Sequence, residues 1–129
     1  MLACLDLSGN LLKADGVAHL AKGLASNESV SALHLARNDI CDAGRMHGLL
    51  ALCELLGGSS SITALDLSSN ALTCGAREFF GVRKLIDVLP RSKLKSLNVD
   101  DNLLTLDVAA KLTEAAGEEC KVHACEVIS

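Results

Sequence analysis

The chain opens on a short alternation of leucines and polar residues. In the stretch LACLDLSGNLL, which covers residues 2–12, Leu5 and Leu7 flank Asp6, and Asn10 follows shortly after. Because successive side chains of a β-strand point to opposite faces, the pattern predicts a strand that buries both leucines and exposes the aspartate. The amide of the asparagine can satisfy backbone groups of the turn after the strand, which a leucine there would leave unpaired.

The same pattern returns along the whole chain. Copies begin at about residues 2, 30, 62 and 94, and an incomplete copy begins at about residue 122. In the incomplete copy, Cys125 and Val127 occupy the positions of the two strand leucines. Since four full copies and a partial one keep the same offsets, the chain is predicted to be an array of structural repeats.

Between the strands, the spacing of apolar residues becomes helical. In the first repeat, an apolar stripe with the spacing i, i+3, i+4 and i+7 consists of Val17, Leu20, Ala21 and Leu24. Comparable stripes in the other full repeats predict a helix in each, with one face buried. The residues expected to cap the beginnings of these helices are Asp15, Asp42 and Asp107. Each repeat is therefore predicted to be a strand, a turn and a returning helix.

The full copies follow the signature L-x-x-L-x-L-x-x-N-x-L, which resembles that of the leucine-rich repeat family. The long spacing with a helical second half is similar to that of the ribonuclease-inhibitor-like class, which also includes the repeat domains of NOD-like receptors and RanGAP proteins. The resemblance implies an α/β solenoid, a right-handed βα superhelix with short parallel strands on its concave face and helices on its convex face. It also implies a stacked asparagine ladder, formed here by Asn10, Asn38, Asn70 and Asn102.

The ends of the array carry no polar capping segment, because the chain begins at the first strand and stops within the last one. A single repeat unit cannot bury its own leucines, so solenoids normally end in such caps. We therefore expect one leucine-rich repeat domain over residues 1–129 that is a segment of a longer array, or whose ends are covered by a partner or by self-association.

Outward side chains of neighbouring strands should form rows on the concave face, because adjacent strands lie about 4.8 Å apart. The central row is expected to contain Asp6, His34, Asp66, Asn98 and Glu126. The following row is expected to contain Ser8, Ala36, Ser68, Asp100 and Ile128, with Arg37 and Asp101 at the rim. These positions form an acidic face of small residues, which favours a protein partner with a basic surface.

Two other functions remain open beside protein binding. The array could be a structural spacer or a regulatory repeat block of a larger protein, in which case the concave face binds nothing. A GTPase-activating role, as in RanGAP, would have Arg37 as its candidate residue. The aromatic residues with which ribonuclease inhibitor binds its target have no counterpart here, because the chain has no Trp or Tyr.

Three groups of residues contain side chains of the kinds found in titratable, catalytic or metal-binding sites. His34 between Asp6 and Asp66 suggests a contact that responds to pH, or an exposed histidine in a polar row. Together with Ser68, His34 and Asp66 provide the residue types of a hydrolase triad, but a flat strand row offers neither an oxyanion hole nor a pocket. The segment CKVHAC, residues 120–125, lacks the four paired ligands that zinc prefers. We expect no catalysis, metal or cofactor.

Composition excludes two kinds of ligand. The net charge of −4 and the scarcity of aromatic residues argue against nucleic acid. No apolar run is long enough to span a membrane, and six scattered cysteines indicate reduced thiols and hence a cytoplasmic protein.

One segment departs from the acidic balance of the chain: residues 77–95 hold six of the twelve basic residues. A solvated helix face is favoured there over a basic docking patch.

Overall fold

The computed structural model describes residues 3–58, 61–74 and 77–124. In these residues, five parallel strands form one sheet in the order of the chain. They are β1 (Ala3–Asp6), β2 (Val30–His34), β3 (Ala64–Asp66), β4 (Ser96–Asn98) and β5 (Lys121–His123). Each strand hydrogen-bonds to its predecessor in the sequence, which is the arrangement expected when every connection returns through a helix.

Helices alternate with the strands throughout the described residues. They are α1 (Lys13–Leu24), α2 (His47–Gly57), α3 (Phe80–Val88) and α4 (Leu106–Ala116). Short 3-10 helices occupy Asp42–Gly44 and Leu89–Arg91, and the second contains Pro90, which cannot continue the α3 hydrogen-bond pattern. This alternation confirms the predicted α/β solenoid fold. None of the helices in the described ranges has the length and apolar run that crossing a bilayer requires.

The core lies between the sheet and the helices. Leu33, Leu65 and Leu97 are buried on successive strands, and the helix stripes that meet them include Val17 and Leu85. Complete burial of such side chains contributes about 1.5–3 kcal/mol each to folding. In β2, His34 is half-exposed between the buried Leu33 and Leu35, so the predicted alternation is confirmed.

The register of the fifth strand differs from the expectation. Val122 pairs with Leu97 and His123 pairs with Asn98, so the last unit reaches its first inward strand position three residues early. The reason is that the connection between α4 and β5 is short. The cap residue of α4 is Gly117, with a φ of 78°, and β5 begins within a few residues of it. The expected copy beginning at about 122 is therefore wrong in register. Cys125, Glu126, Val127 and Ile128 lie outside the described residues.

The predicted helix caps are also corrected. Asp15 and Asp107 lie within the first turns of α1 and α4, and the cap of α4 is Thr105, whose hydroxyl accepts from the Val108 N–H at 3.2 Å. Asp42 accepts from the Ala14 N–H at 2.8 Å and so caps the helix of the preceding repeat. An orphan N–H at a helix beginning needs an acceptor within reach, and stacking lets the neighbouring repeat supply it.

Candidate functional site

The outward face of the sheet brings the predicted central row together. Asp6 pairs with His34, His34 with Asp66, and Asp66 with Asn98, so these four residues stand side by side on adjacent strands. The place expected for Glu126 beside Asn98 is occupied by His123, because of the shifted fifth strand. Over the described strands, the row therefore runs from an aspartate at one edge to a histidine at the other.

The second predicted row continues the ladder just beyond the strand ends. Gly9 donates to the Ala36 carbonyl, Arg37 to the Ser68 carbonyl and Ser69 to the Asp100 carbonyl, at 2.8, 3.1 and 2.9 Å. These bonds hold the row in register. Ala36 is only 4 % exposed, so its side chain adds little surface, whereas Arg37 is exposed at the rim. The Arg37 backbone is left-handed, with a φ of 56°.

Three central-row side chains also support the backbone. Asp6, Asp66 and Asn98 each accept, through Oδ1, from the N–H two residues later, at 3.0, 2.9 and 2.9 Å. Hydrogen bonds from Ser8 to Asp6, the backbone N–H first, lower the pKa of that carboxyl, and electrostatic interactions with His34 and Arg37 act in the same direction. This structural role was missed in the sequence, although an Asp or Asn at the strand end is the residue type that bonds two positions onward.

His34 is the exception in the row. Its Nδ1 lies 3.9 Å from Asp66 Oδ2 on the neighbouring strand. Among the described residues, the structure records no side-chain acceptor for the N–H of Ala36, the position equivalent to Ser8 and Ser68. Of the four strand-end residues in the row, His34 is therefore the one that does not brace the turn behind it.

This difference predicts a stabilising substitution. His34→Asn should place an Oδ1 where Asn98 has one, so that the Ala36 N–H gains an acceptor. We expect the free energy of unfolding, measured by urea denaturation, to rise by about 1 kcal/mol. The matched variant Asn98→Ala removes the existing bond and should lower it by a similar amount. If His34→Asn did not raise the free energy of unfolding, the Ala36 N–H would already have a hydrogen-bond acceptor, and the prediction would be wrong.

Behind the face, four asparagines connect successive repeats. Oδ1 of Asn38 accepts from the Asn10 N–H, and the same bond joins Asn70 to Asn38 and Asn102 to Asn70, at 3.1, 2.8 and 2.9 Å. Each Nδ2 donates to a carbonyl of the preceding repeat in the three inner rungs, as from Asn70 to the Leu35 carbonyl at 2.8 Å. Asn38, Asn70 and Asn102 are buried, and Asn10 is exposed.

The triad and zinc interpretations gain no support from the geometry. Oδ1 of Asp66 accepts a hydrogen bond from the Ser68 N–H at 2.9 Å, so this carboxylate braces the strand end. Cys120 is buried, and burial raises the pKa of its thiol, whereas His123 is exposed. No cluster of three His, Cys, Asp or Glu side chains suited to a metal occurs in the described part of the chain. Cys125 is outside that part, so the third residue of this segment is not placed.

The two cysteines of the second repeat, Cys41 and Cys53, are buried. Burial raises the pKa of Cys41 and of Cys53 to about 12, which keeps both groups protonated at neutral pH. The thiolate is the nucleophile and the metal-binding form of cysteine. These two residues therefore serve as small core side chains.

A family model described as leucine rich repeat matches residues 58–73. This segment contains β3, the strand-end Asp66 and the buried Asn70. No curated protein matches the chain. Over the matched residues the chain is similar to the leucine-rich repeat family, and the parallel strands and helices that alternate around them have the arrangement of a leucine-rich repeat solenoid.

Proposed function

We propose that the protein is a protein-interaction module that binds a partner with a basic surface through the outward face of the sheet. The observation that carries this proposal is the aligned row of Asp6, His34, Asp66 and Asn98, which displays two carboxylates on strands held in register. Similarity to leucine-rich repeats supports a role in protein binding in general.

Charge favours a basic partner. Asp100 and Asp101 extend the acidic character beyond the strand ends, and Asp101 accepts a hydrogen bond from the Ser69 hydroxyl at 2.8 Å. The lowered pKa of Asp6 keeps that carboxylate ionised into the acidic range. Complementary charge steers a partner toward a surface and sets its orientation.

Small side chains favour close approach. The row that precedes the central one pairs Cys4 with Ala32, Ala32 with Ala64 and Ala64 with Ser96. None of these side chains projects far from the sheet, so a peptide backbone can lie beside the two aspartates. The face thus combines charge at the centre with room at its flank.

The test uses a double variant, Asp6→Asn with Asp66→Asn. Asparagine removes the charge but keeps the Oδ1 that braces the strand end, as Asn98 shows. In an NMR titration with a lysine oligopeptide at low salt, we expect the double variant to bind about tenfold more weakly. The control pair is Asp107→Asn with Glu114→Gln, which makes the same charge change on α4.

The outcomes separate the proposed function from its rivals. An equal loss in both pairs would mean attraction by net charge alone, and would contradict a site on the sheet. No loss in either pair would favour a spacer role. Added salt should weaken binding to the parent protein, because exposed charges are screened.

A further inference from the structure

A groove lies between α2 and α3 and continues to the 3-10 helix Leu89–Arg91. Its cavity has a volume of about 500 Å³. Pockets of roughly 300–1,000 Å³ are the size that accommodates small molecules or an anchoring side chain. Its lining is apolar at Leu50, Cys53, Phe80 and Val88, and it carries two cations, Lys84 and Arg91, and two carboxylates, Glu54 and Asp87.

Two glycines at the end of α2, Gly57 and the following Gly58, line one part of the groove. A Cβ at Gly57 would be 3.6 Å from Val88 Cγ1 and 3.7 Å from Arg91 Nη2, so a larger side chain there would fill the space. By contrast, α1 and α2 approach so closely that a Cβ at Gly48 would be 2.7 Å from the Ala14 carbonyl oxygen. At the beginning of α3, α2 and α3 also pack closely, since a Cβ at Gly81 would be 2.5 Å from Leu49 Cδ2, so the groove opens toward their C-terminal ends.

The lining is apolar at its base and aromatic at one end. Cys53 and Val88 are buried, whereas Phe80 is 48 % exposed at the first residue of α3. Lys84 Nζ lies 5.6 Å from the centroid of the Phe80 ring, which is cation–π distance. A large, partly exposed aromatic beside an apolar cavity is the kind of surface that anchors a partner side chain.

Two cations of the lining have no ion-pair partner in the part of the chain that the structure describes. Within the described residues, neither Lys84 nor Arg91 has a carboxylate oxygen within 4.0 Å. They belong to the segment 77–95, whose six basic and two acidic residues give a charge of +4. Because the whole chain carries −4, the remaining residues carry −8. Positive charge is therefore concentrated in segment 77–95, and two of its cations, Lys84 and Arg91, line the groove.

We propose that this α2–α3 groove binds an acidic peptide segment in which an apolar side chain lies between two carboxylates. Lys84 and Arg91 are seven positions apart, which corresponds to roughly 10 Å along a helix. The two carboxylates pair with these cations, and the apolar side chain enters the cavity against Phe80 and Val88. Glu54 and Asp87 also line the cavity and disfavour an additional carboxylate between its ends.

This surface is distinct from the one in the proposed function. It lies among helices, presents the cations Lys84 and Arg91, and shares no residue with the central row of the sheet. One protein molecule can therefore hold a basic partner on the sheet and an acidic one on the helices.

The probe is the blocked peptide Gly-Glu-Ser-Leu-Ser-Glu-Gly, titrated into the isotopically labelled protein and followed by NMR. In an extended peptide, the two glutamates and the leucine point to the same side. We expect shifts at Leu50, Phe80 and Val88, and about tenfold weaker binding to the variant Lys84→Gln with Arg91→Gln. The matched variant is Arg83→Gln with Lys93→Gln, which removes two other cations of the segment and should leave binding unchanged.

Two further changes sharpen the test. Replacing the leucine of the peptide by serine should weaken binding, and Asp87→Asn should strengthen it. Equal losses in both cation pairs, or equal binding of the analogue with lysines in place of glutamates, would overturn the proposal. Self-association of the protein that Lys84→Gln with Arg91→Gln abolishes in sedimentation equilibrium would make a second copy the occupant, and would also overturn it. The double variant at Asp6 and Asp66 should bind the acidic peptide normally, so the two proposals can fail separately.

Discussion

We expect Gly48→Ala to lower the free energy of unfolding by about 3 kcal/mol, because the added methyl group would collide with the backbone of α1. Gly48 lies at the beginning of α2, where a Cβ would stand 2.7 Å from the Ala14 carbonyl oxygen and 2.9 Å from its Cα. Backbone atoms cannot rotate aside like the end of a side chain. The helices must separate, and the leucines between them lose contact. Urea denaturation of the purified variant measures the loss.

A matched variant separates this clash from the effect of alanine itself. Gly23 also lies in a helix, in the last turn of α1, and a Cβ there would have no atom within 4 Å. Gly23→Ala should therefore raise the free energy of unfolding by about 0.5–1 kcal/mol, because alanine favours helix more than glycine does. If Gly48→Ala behaved like Gly23→Ala, the close contact between α1 and α2 would be refuted.

The second large effect is expected for Asn70→Ala. Asn70 is 1 % exposed, accepts from the Asn38 N–H at 2.8 Å, and donates to the carbonyls of Leu35 and Ser68 at 2.8 and 3.0 Å. The alanine variant leaves these three backbone groups without this partner in a region that water does not reach. Since an unsatisfied buried polar group costs about 1–3 kcal/mol, we expect a loss of at least about 3 kcal/mol in chemical denaturation.

The first rung of the ladder provides the control. Asn10 donates to the carbonyls of Leu7 and Ser8, at 2.7 and 3.3 Å, but it is exposed. Water can replace its amide, so Asn10→Ala should cost less than about 1 kcal/mol. Equal losses at Asn10 and Asn70 would show that the ladder contributes through the turn conformation rather than through burial of its hydrogen bonds.

Much of the fold was predictable because its signals are local. Alternation of Leu33, His34 and Leu35 identifies a strand and its buried face, and the stripe from Val17 to Leu24 identifies a helix. The fifth strand failed this approach. Val122 and Cys125 keep the offsets of the earlier repeats, but Val122 pairs with Leu97 because the passage after α4 is short. A repeat with few apolar residues can be placed in more than one register by its spacing alone.

Four members of the central row were predictable, whereas the place expected for Glu126 is taken by His123 and the roles of the side chains were less predictable. Period-two geometry placed Asp6, His34, Asp66 and Asn98 in one row, and the strand pairing has them there. The aspartates also accept hydrogen bonds from the turns that follow them. This role depends on the distance between each Oδ1 and a backbone N–H, which only the structure gives. The α2–α3 groove had only the basic character of segment 77–95 as a signal, since its apolar cavity is formed by helices from two repeats.

For the first four strands, the sequence by itself determined the repeat period, the inward and outward positions and the places of the buried asparagines, because each depends on the chemistry of residues a few positions apart. The tertiary structure alone decided the register of the last strand, the capping of α1 by Asp42 and the gap between α2 and α3. These features depend on how closely one repeat packs on the next. The distance between neighbouring repeats depends on contacts between side chains and turns that are about thirty residues apart in the chain. A pattern of a few neighbouring residues cannot predict it.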